Sequence, residues 1–110
     1  MTNSAQILKG LLDVLVLSVL ERGGDNYGFG ILQSLRKQIG DRSVIVKDAT
    51  LYPLLHRLEG KNLLESYSTD GDRGTARKYY RLTKAGRNHL KESLAAWQDV
   101  IEVVQHLHRR

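Results

Sequence analysis

Residues 46–83, VKDATLYPLLHRLEGKNLLESYSTDGDRGTARKYYRLT, constrain the fold more than any other stretch of the chain. Leu51, Leu54, Leu55 and Leu58 recur at helical spacing and define the buried side of a short amphipathic helix. Ala49, Pro53, His56 and Gly60 lie opposite, flanked by Thr50, Tyr52 and Arg57. Small residues along an exposed centre, with polar and aromatic ones at its edges, suit close approach to another surface. Asp48 is a candidate N-cap. Proline is tolerated in a helix's first turn but kinks it deeper in, so Pro53 leaves the start open between residues 48 and 50. Glu59-Gly60-Lys61-Asn62 ends the helix, and Asn62 can take the left-handed conformation there.

A hairpin follows. Leu63 to Ser68 and Ala76 to Leu82 read as paired strands, with Tyr67, Tyr79 and Tyr80 supplying β propensity. The tip, Thr69 to Thr75, is too long for a two-residue turn and reads as a mobile loop. Alternation along the second strand puts Arg77, Tyr79 and Arg81 on one face and Lys78, Tyr80 and Leu82 on the other. Leu82 marks the second face as core, so Lys78 reaches its edge and Arg77 is the better-placed contact residue.

The flanking segments read as helices. Ile7 to Arg22 is apolar nearly all round, which requires burial on more than one side. Arg22-Gly23-Gly24-Asp25-Asn26 stops it. Tyr27 to Ile39 is a second helix with Tyr27, Ile31, Leu32, Leu35 and Ile39 on its apolar face. Gly28 and Gly30 in its first turn cost helix propensity, and the reading here is that they let it pack closely on the first helix. Val44-Ile45-Val46 is a candidate short strand. Thr83 caps a last helix to about Leu107, with one stripe of Leu90, Leu94, Trp97, Ile101 and Val104 and a second of Ala96, Val100, Val103 and Leu107. A terminal helix with two apolar stripes has no further chain to pack on, so it points to pairing with a second subunit. Leu8, Leu12, Leu90, Leu94, Trp97, Ile101 and Val104 are the expected dimer-interface residues.

The order helix, helix, helix, hairpin, long helix is that of an α+β, mainly α, winged helix-turn-helix. Residues 1–83 form the winged-helix region and 84–110 a dimerisation helix within one structural domain. A chain of 110 residues, 41% of them hydrophobic, suits one domain with a small core. Such a domain buries only about two-thirds of its unfolded surface, so pairing would add stability. There are no cysteines, which excludes a disulfide scaffold or thiolate metal site and fits a reducing cytoplasm. Leu11 to Leu20, the longest apolar stretch, is interrupted by Asp13 and Ser18 and is too short to span a bilayer. The opening MTNSAQ has no basic signal-peptide region. A cytoplasmic protein without a membrane partner is the expectation.

Net charge is +5 and unevenly placed: between Arg73 and Lys91 there are seven basic residues and no acidic one. Charge alone leaves two readings open, a solvated basic face or a polyanion partner.

The residues also carry a resemblance. Leu51-Tyr52-Pro53-Leu54-Leu55-His56-Arg57-Leu58-Glu59, then Leu63-Leu64-Glu65-Ser66 and Arg77-Lys78-Tyr79-Tyr80-Arg81-Leu82-Thr83, resembles the PadR family of transcriptional regulators. Gly10-Leu11-Leu12-Asp13 and Tyr27-Gly28 match as well, so the resemblance runs over about residues 7–105. The single last helix with Trp97 is similar to the short subfamily, which includes multidrug-responsive repressors. Asn62 and Ala49 stand where the family usually or often has glycine. The resemblance implies a homodimeric winged-helix repressor that binds a palindromic operator on double-stranded DNA. It also implies a flat aromatic effector, of the kind of phenolic acids or planar drugs.

On this reading Lys47, Thr50, Tyr52, His56 and Arg57 of the third helix, with Arg73, Arg77 and Lys78 of the hairpin, are the candidate DNA-binding residues. Tyr52 could equally be core. Trp97 and Ile101 are the candidate ligand-binding residues, and Trp97 could equally be a plain dimer-core residue. No nucleophile motif, phosphate loop or dinucleotide fingerprint is present, so no catalytic residue, metal or cofactor is expected. The alternative function is a winged-helix module for protein interaction or ligand sequestration without DNA binding.

Overall fold

The computed structural model describes residues 11–40, 48–70 and 76–109, without the side chains of Ile39, Asp48 and Ala49. The expected strand at residues 44–46, and Leu8, Lys47 and Arg73, lie outside the described residues. The elements run α1 (Leu12–Gly23), β1 (Asn26–Tyr27), α2 (Gly28–Ile39), α3 (Asp48–Gly60), β2 (Leu64–Thr69), β3 (Arg77–Leu82) and α4 (Lys84–His108). This is the mainly helical α+β architecture read from the sequence, with a three-stranded antiparallel wing sheet in the order β1-β3-β2.

One core holds the elements together. Val16 and Leu17 of α1, Ile31, Leu32 and Leu35 of α2, and Leu51, Leu54, Leu55 and Leu58 of α3 meet Leu63, Leu64, Tyr80, Leu82 and Leu90. Burying one such leucine is worth about 1.5–3 kcal/mol. Leu12 and Leu90, expected at the dimer interface, are buried in this core, with Leu90 only 1% exposed. The core therefore extends past residue 83 into the first turns of α4, where Gly86 is also buried.

Two corrections concern the start of α2. Tyr27 is not on the helix's apolar face; it lies in β1, which pairs Asn26 with Tyr80 and Tyr27 with Tyr79. A two-residue strand has no periodicity of its own and exists only through β3. Nor do Gly28 and Gly30 face the first helix. A β-carbon on Gly28 would strike the Tyr52 ring, and one on Gly30 would strike the Asn26 side chain.

The turns behave as local chemistry dictates. α3 starts at Asp48, the early end of the expected range, and accommodates Pro53 inside it. At its end Asn62 takes φ 64°. The Leu63 N–H donates to the Leu58 carbonyl at 3.0 Å and that of Asn62 to Glu59 at 3.0 Å. These two bonds make a Schellman cap with asparagine in glycine's place.

Thr83 then joins the two ends of the wing. Its hydroxyl accepts from the Gly86 N–H at 2.9 Å and donates to the Asn62 carbonyl at 2.7 Å. One side chain thus caps α4 and satisfies the carbonyl that ends α3. Thr83→Ala is expected to cost about 1–2 kcal/mol in urea unfolding, as an N-cap loss does, with Thr83→Ser restoring most of it. A loss no larger than that of an ordinary surface substitution would show that the cap carries no weight.

Beyond Trp97 every described residue of α4 is exposed. The chain measures 61 × 31 × 21 Å. Trp97, like Leu15 and Val19, is half-buried against the core, whereas Leu94, Val100, Ile101, Val103, Val104 and Leu107 stay exposed. No helix among the described residues is long and apolar enough to cross a membrane.

Candidate nucleic-acid interface

The outward side of α3 is Tyr52, Pro53, His56, Arg57 and Gly60, all exposed, with Thr50 half-exposed at its start. The leucines opposite fix that orientation, because rotating the helix would bring the exposed side into the core. Tyr52 resolves the choice left by the sequence in both directions. It is 46% exposed, yet one edge of its ring lies over Gly28. The absent β-carbon on α2 is what lets that edge approach so closely.

α3 and the wing meet at a groove. Tyr52 of α3, Tyr27, Gly28 and Phe29 around the start of α2, and Arg77, Lys78 and Tyr80 of β3 line a volume of about 300 Å³. Four aromatic rings and two cations line it, and among the described residues no carboxylate does. Six of the eight expected DNA-binding residues are described. Of these the groove unites Tyr52, Arg77 and Lys78, while Thr50, His56 and Arg57 sit elsewhere on α3.

The basic residues are held in different ways. The Arg57 guanidinium donates to the Asp13 carboxylate of α1. Lys78 reaches Glu59 of α3 at 3.5 Å, with its ammonium 5.4 Å from the centre of the Tyr80 ring. Arg81 pairs with Glu65 across the hairpin at 2.9 Å and lies 5.0 Å over Tyr67. Arg77 lies 4.7 Å over the ring of Tyr27. Such exposed ion pairs are worth about 0–1 kcal/mol each, so they aim side chains more than they stabilise the fold.

Two shifted carboxylate and phenol equilibria follow from these contacts. The Ser66 hydroxyl donates to Glu59 and Lys78 lies beside it, which together hold the Glu59 carboxyl below its ordinary value against the opposing effect of burial. The Tyr67 hydroxyl donates to Asp25 at 2.7 Å, and this contact with a carboxylate raises the phenol's pKa.

A rung of rings on the outer face of the sheet was not anticipated. Register places Tyr27 opposite Tyr79 and Tyr79 opposite Tyr67. The Tyr27 and Tyr79 rings are 5.6 Å apart, and Tyr79 stacks on Tyr67 at 5.8 Å. Alternation predicted the outward direction of Tyr79, but the sequence held no signal that Tyr27 would join it from across a turn.

Among proteins of known family, residues 16–92 match the Transcriptional regulator PadR-like family. A transcriptional regulator of Mycobacterium tuberculosis is 38% identical over 88 residues, which are 80% of this chain and 79% of that protein. A solved transcriptional regulator from Clostridium thermocellum superposes with TM-score 0.82 at 30% identity, covering 94% of this chain and 99% of the other. A PadR-like transcriptional regulator from Bacillus cereus gives TM-score 0.81 at 30% identity, covering 96% and 98%.

Proposed function

The chain belongs to the PadR-like family of transcriptional regulators, and on that premise we propose that it is a homodimeric, cytoplasmic repressor of a palindromic operator. The observation that carries this reading is the groove, lined by aromatic rings and cations, that joins Tyr52 on α3 to Arg77 and Lys78 on β3. It lets one surface offer a groove-sized helix and backbone-binding cations together. α3 enters the major groove with Thr50, Tyr52, His56 and Arg57 near the bases and phosphates, and Lys47 lies just before it in sequence. Arg77 and Lys78 bind the flanking backbone, and Arg73, four residues before Arg77 in sequence, is a further candidate for the same role. Phosphate contacts of this kind set register and salt dependence, while base edges set sequence.

Dimerisation supplies the spacing. Leu94, Ile101 and Val104 of α4, all exposed in the single chain, form the seam with Trp97, and two copies of α3 then sit about 34 Å apart, one turn of the duplex. A planar aromatic effector stacks where Trp97 and Ile101 of both protomers approach. It releases DNA only if it prefers an α4 spacing different from the DNA-bound one. Titrating planar aromatics while following Trp97 fluorescence tests the effector, and a broad panel that leaves emission unchanged would dismiss it.

The DNA reading is tested by incubating the purified protein with fragments of its own genome and raising the salt. A few fragments should stay bound where bulk DNA is released. They should share an inverted repeat with half-site centres about 10 base pairs apart. Uniform release of all fragments would overturn the reading and favour an interaction module.

A further inference from the structure

We propose that Tyr27 is a positioning residue for Arg77: its ring holds the guanidinium at the groove between α3 and β3, where a backbone phosphate of bound DNA sits. The proposal rests on the DNA reading and adds to it a residue, a subsite and a reason.

The reason lies in how the cations are held. Arg57, Lys78 and Arg81 are each answered by a carboxylate, from Asp13, Glu59 and Glu65 in turn. A cation held that way still has donors to offer, but part of its charge is already answered and the neighbouring carboxylate repels an approaching phosphate. Arg77 meets no carboxylate among the described residues; its guanidinium lies 4.7 Å over the Tyr27 ring. An aromatic face attracts a cation through its quadrupole without cancelling its charge. Tyr27 therefore restricts a side chain with large rotamer freedom and leaves its full charge available.

The ring itself is firmly placed. Tyr27 is in β1, in register with Tyr79, and the ring stands 5.6 Å from that of Tyr79, which in turn stacks on Tyr67. Its backbone is also the N-cap position of α2. The position of Arg77 is thereby tied to all three strands and to the helix that cradles Tyr52. Phe29, 49% exposed at the groove, has no role in the core and suits contact with a deoxyribose. A phosphodiester with its sugar offers that combination of charge and apolar surface.

A double-mutant cycle on duplex affinity tests this, with each variant's unfolding transition recorded. Arg77→Ala should weaken binding to specific and non-specific duplexes alike and reduce the salt slope by about one. Tyr27→Leu should lose about two- to fivefold, the worth of an exposed cation–π contact. The double variant should bind no more weakly than Arg77→Ala alone, because Tyr27 acts only through Arg77. Tyr27→Phe should bind as the unchanged protein does. Ring-fluorinated phenylalanines at position 27 keep the shape while weakening the quadrupole, so they remain informative even if Tyr27→Leu does not fold, and affinity should fall with each added fluorine. Losses that add in the double variant, or affinity indifferent to fluorination, would overturn the proposal while leaving DNA binding intact. A protein that binds no duplex at low salt would overturn both.

Discussion

Gly86→Ala will destabilise the protein by about 2–3 kcal/mol, although alanine is the better helix former by about 1 kcal/mol. A β-carbon on Gly86 would fall on the Leu63 carbonyl and come within 2.9 Å of Leu82 Cδ1. The leucine tip could turn away, but the carbonyl is backbone. It accepts from the Thr83 N–H at 3.2 Å and, at 3.0 Å, shares the single Thr83 hydroxyl proton with the Asn62 carbonyl. Moving α4 outward to make room would stretch both bonds and lift Leu90 from the core. Overpacking costs of 1–3 kcal/mol, occasionally more, are usual where the neighbours cannot give, and here the lost hydrogen bonds add to them. Urea unfolding at one fixed protein concentration checks this, the concentration being fixed because the stability of the proposed dimer would depend on it. A variant as stable as the parent would mean that α4 shifts freely enough to make room for the β-carbon.

Ile101→Asp should break the proposed dimer without unfolding the protomer. Ile101 is 44% exposed in the single chain, so a carboxylate there costs the winged-helix body little. Buried unpaired at a seam between two helices it would cost about 3–4 kcal/mol, on the order of 10²- to 10³-fold in the dimer dissociation constant. Sedimentation should show monomers at concentrations where the parent is dimeric. DNA affinity should fall as well, since each half-site is then bound without the benefit of linkage to the other. Leu90→Asp would not make this distinction, because Leu90 is 1% exposed and belongs to the protomer's own core. Unchanged sedimentation of Ile101→Asp would place the seam elsewhere.

Much of this fold was legible because its signals are local. The spacing of Leu51, Leu54, Leu55 and Leu58 names the buried side of α3, and all four are at most 3% exposed. Asn62 at the end of that helix and Thr83 at the start of the next are residues whose own side chains or backbone preferences satisfy the local geometry. Alternation sorted β3 correctly, with Tyr80 and Leu82 buried and Arg77 and Arg81 exposed. The candidate site was less legible. Asp13 and Arg57 are 44 residues apart in sequence, and Glu59 could not be recognised as the common partner of Ser66 and Lys78 before the hairpin was folded onto α3.

The stretch from Val46 to Thr83 by itself determined the elements, the side of the helix turned outward and the concentration of positive charge on the strand that returns from the tip. Periodicity and charge are properties of neighbours along the chain, so they survive without tertiary knowledge. The tertiary structure alone decided which of those charges are answered. Strand spacing separates Arg77 and Arg81 from Lys78 by face, but neither it nor helical spacing distinguishes which of Arg57, Lys78, Arg81 and Arg77 a carboxylate answers. The partners that do distinguish them, three carboxylates and one tyrosine ring, come from other elements. For the same reason Gly28 acquires its meaning from Tyr52, and β1 its existence from β3. Each depends on a contact between segments that only the packed core brings together.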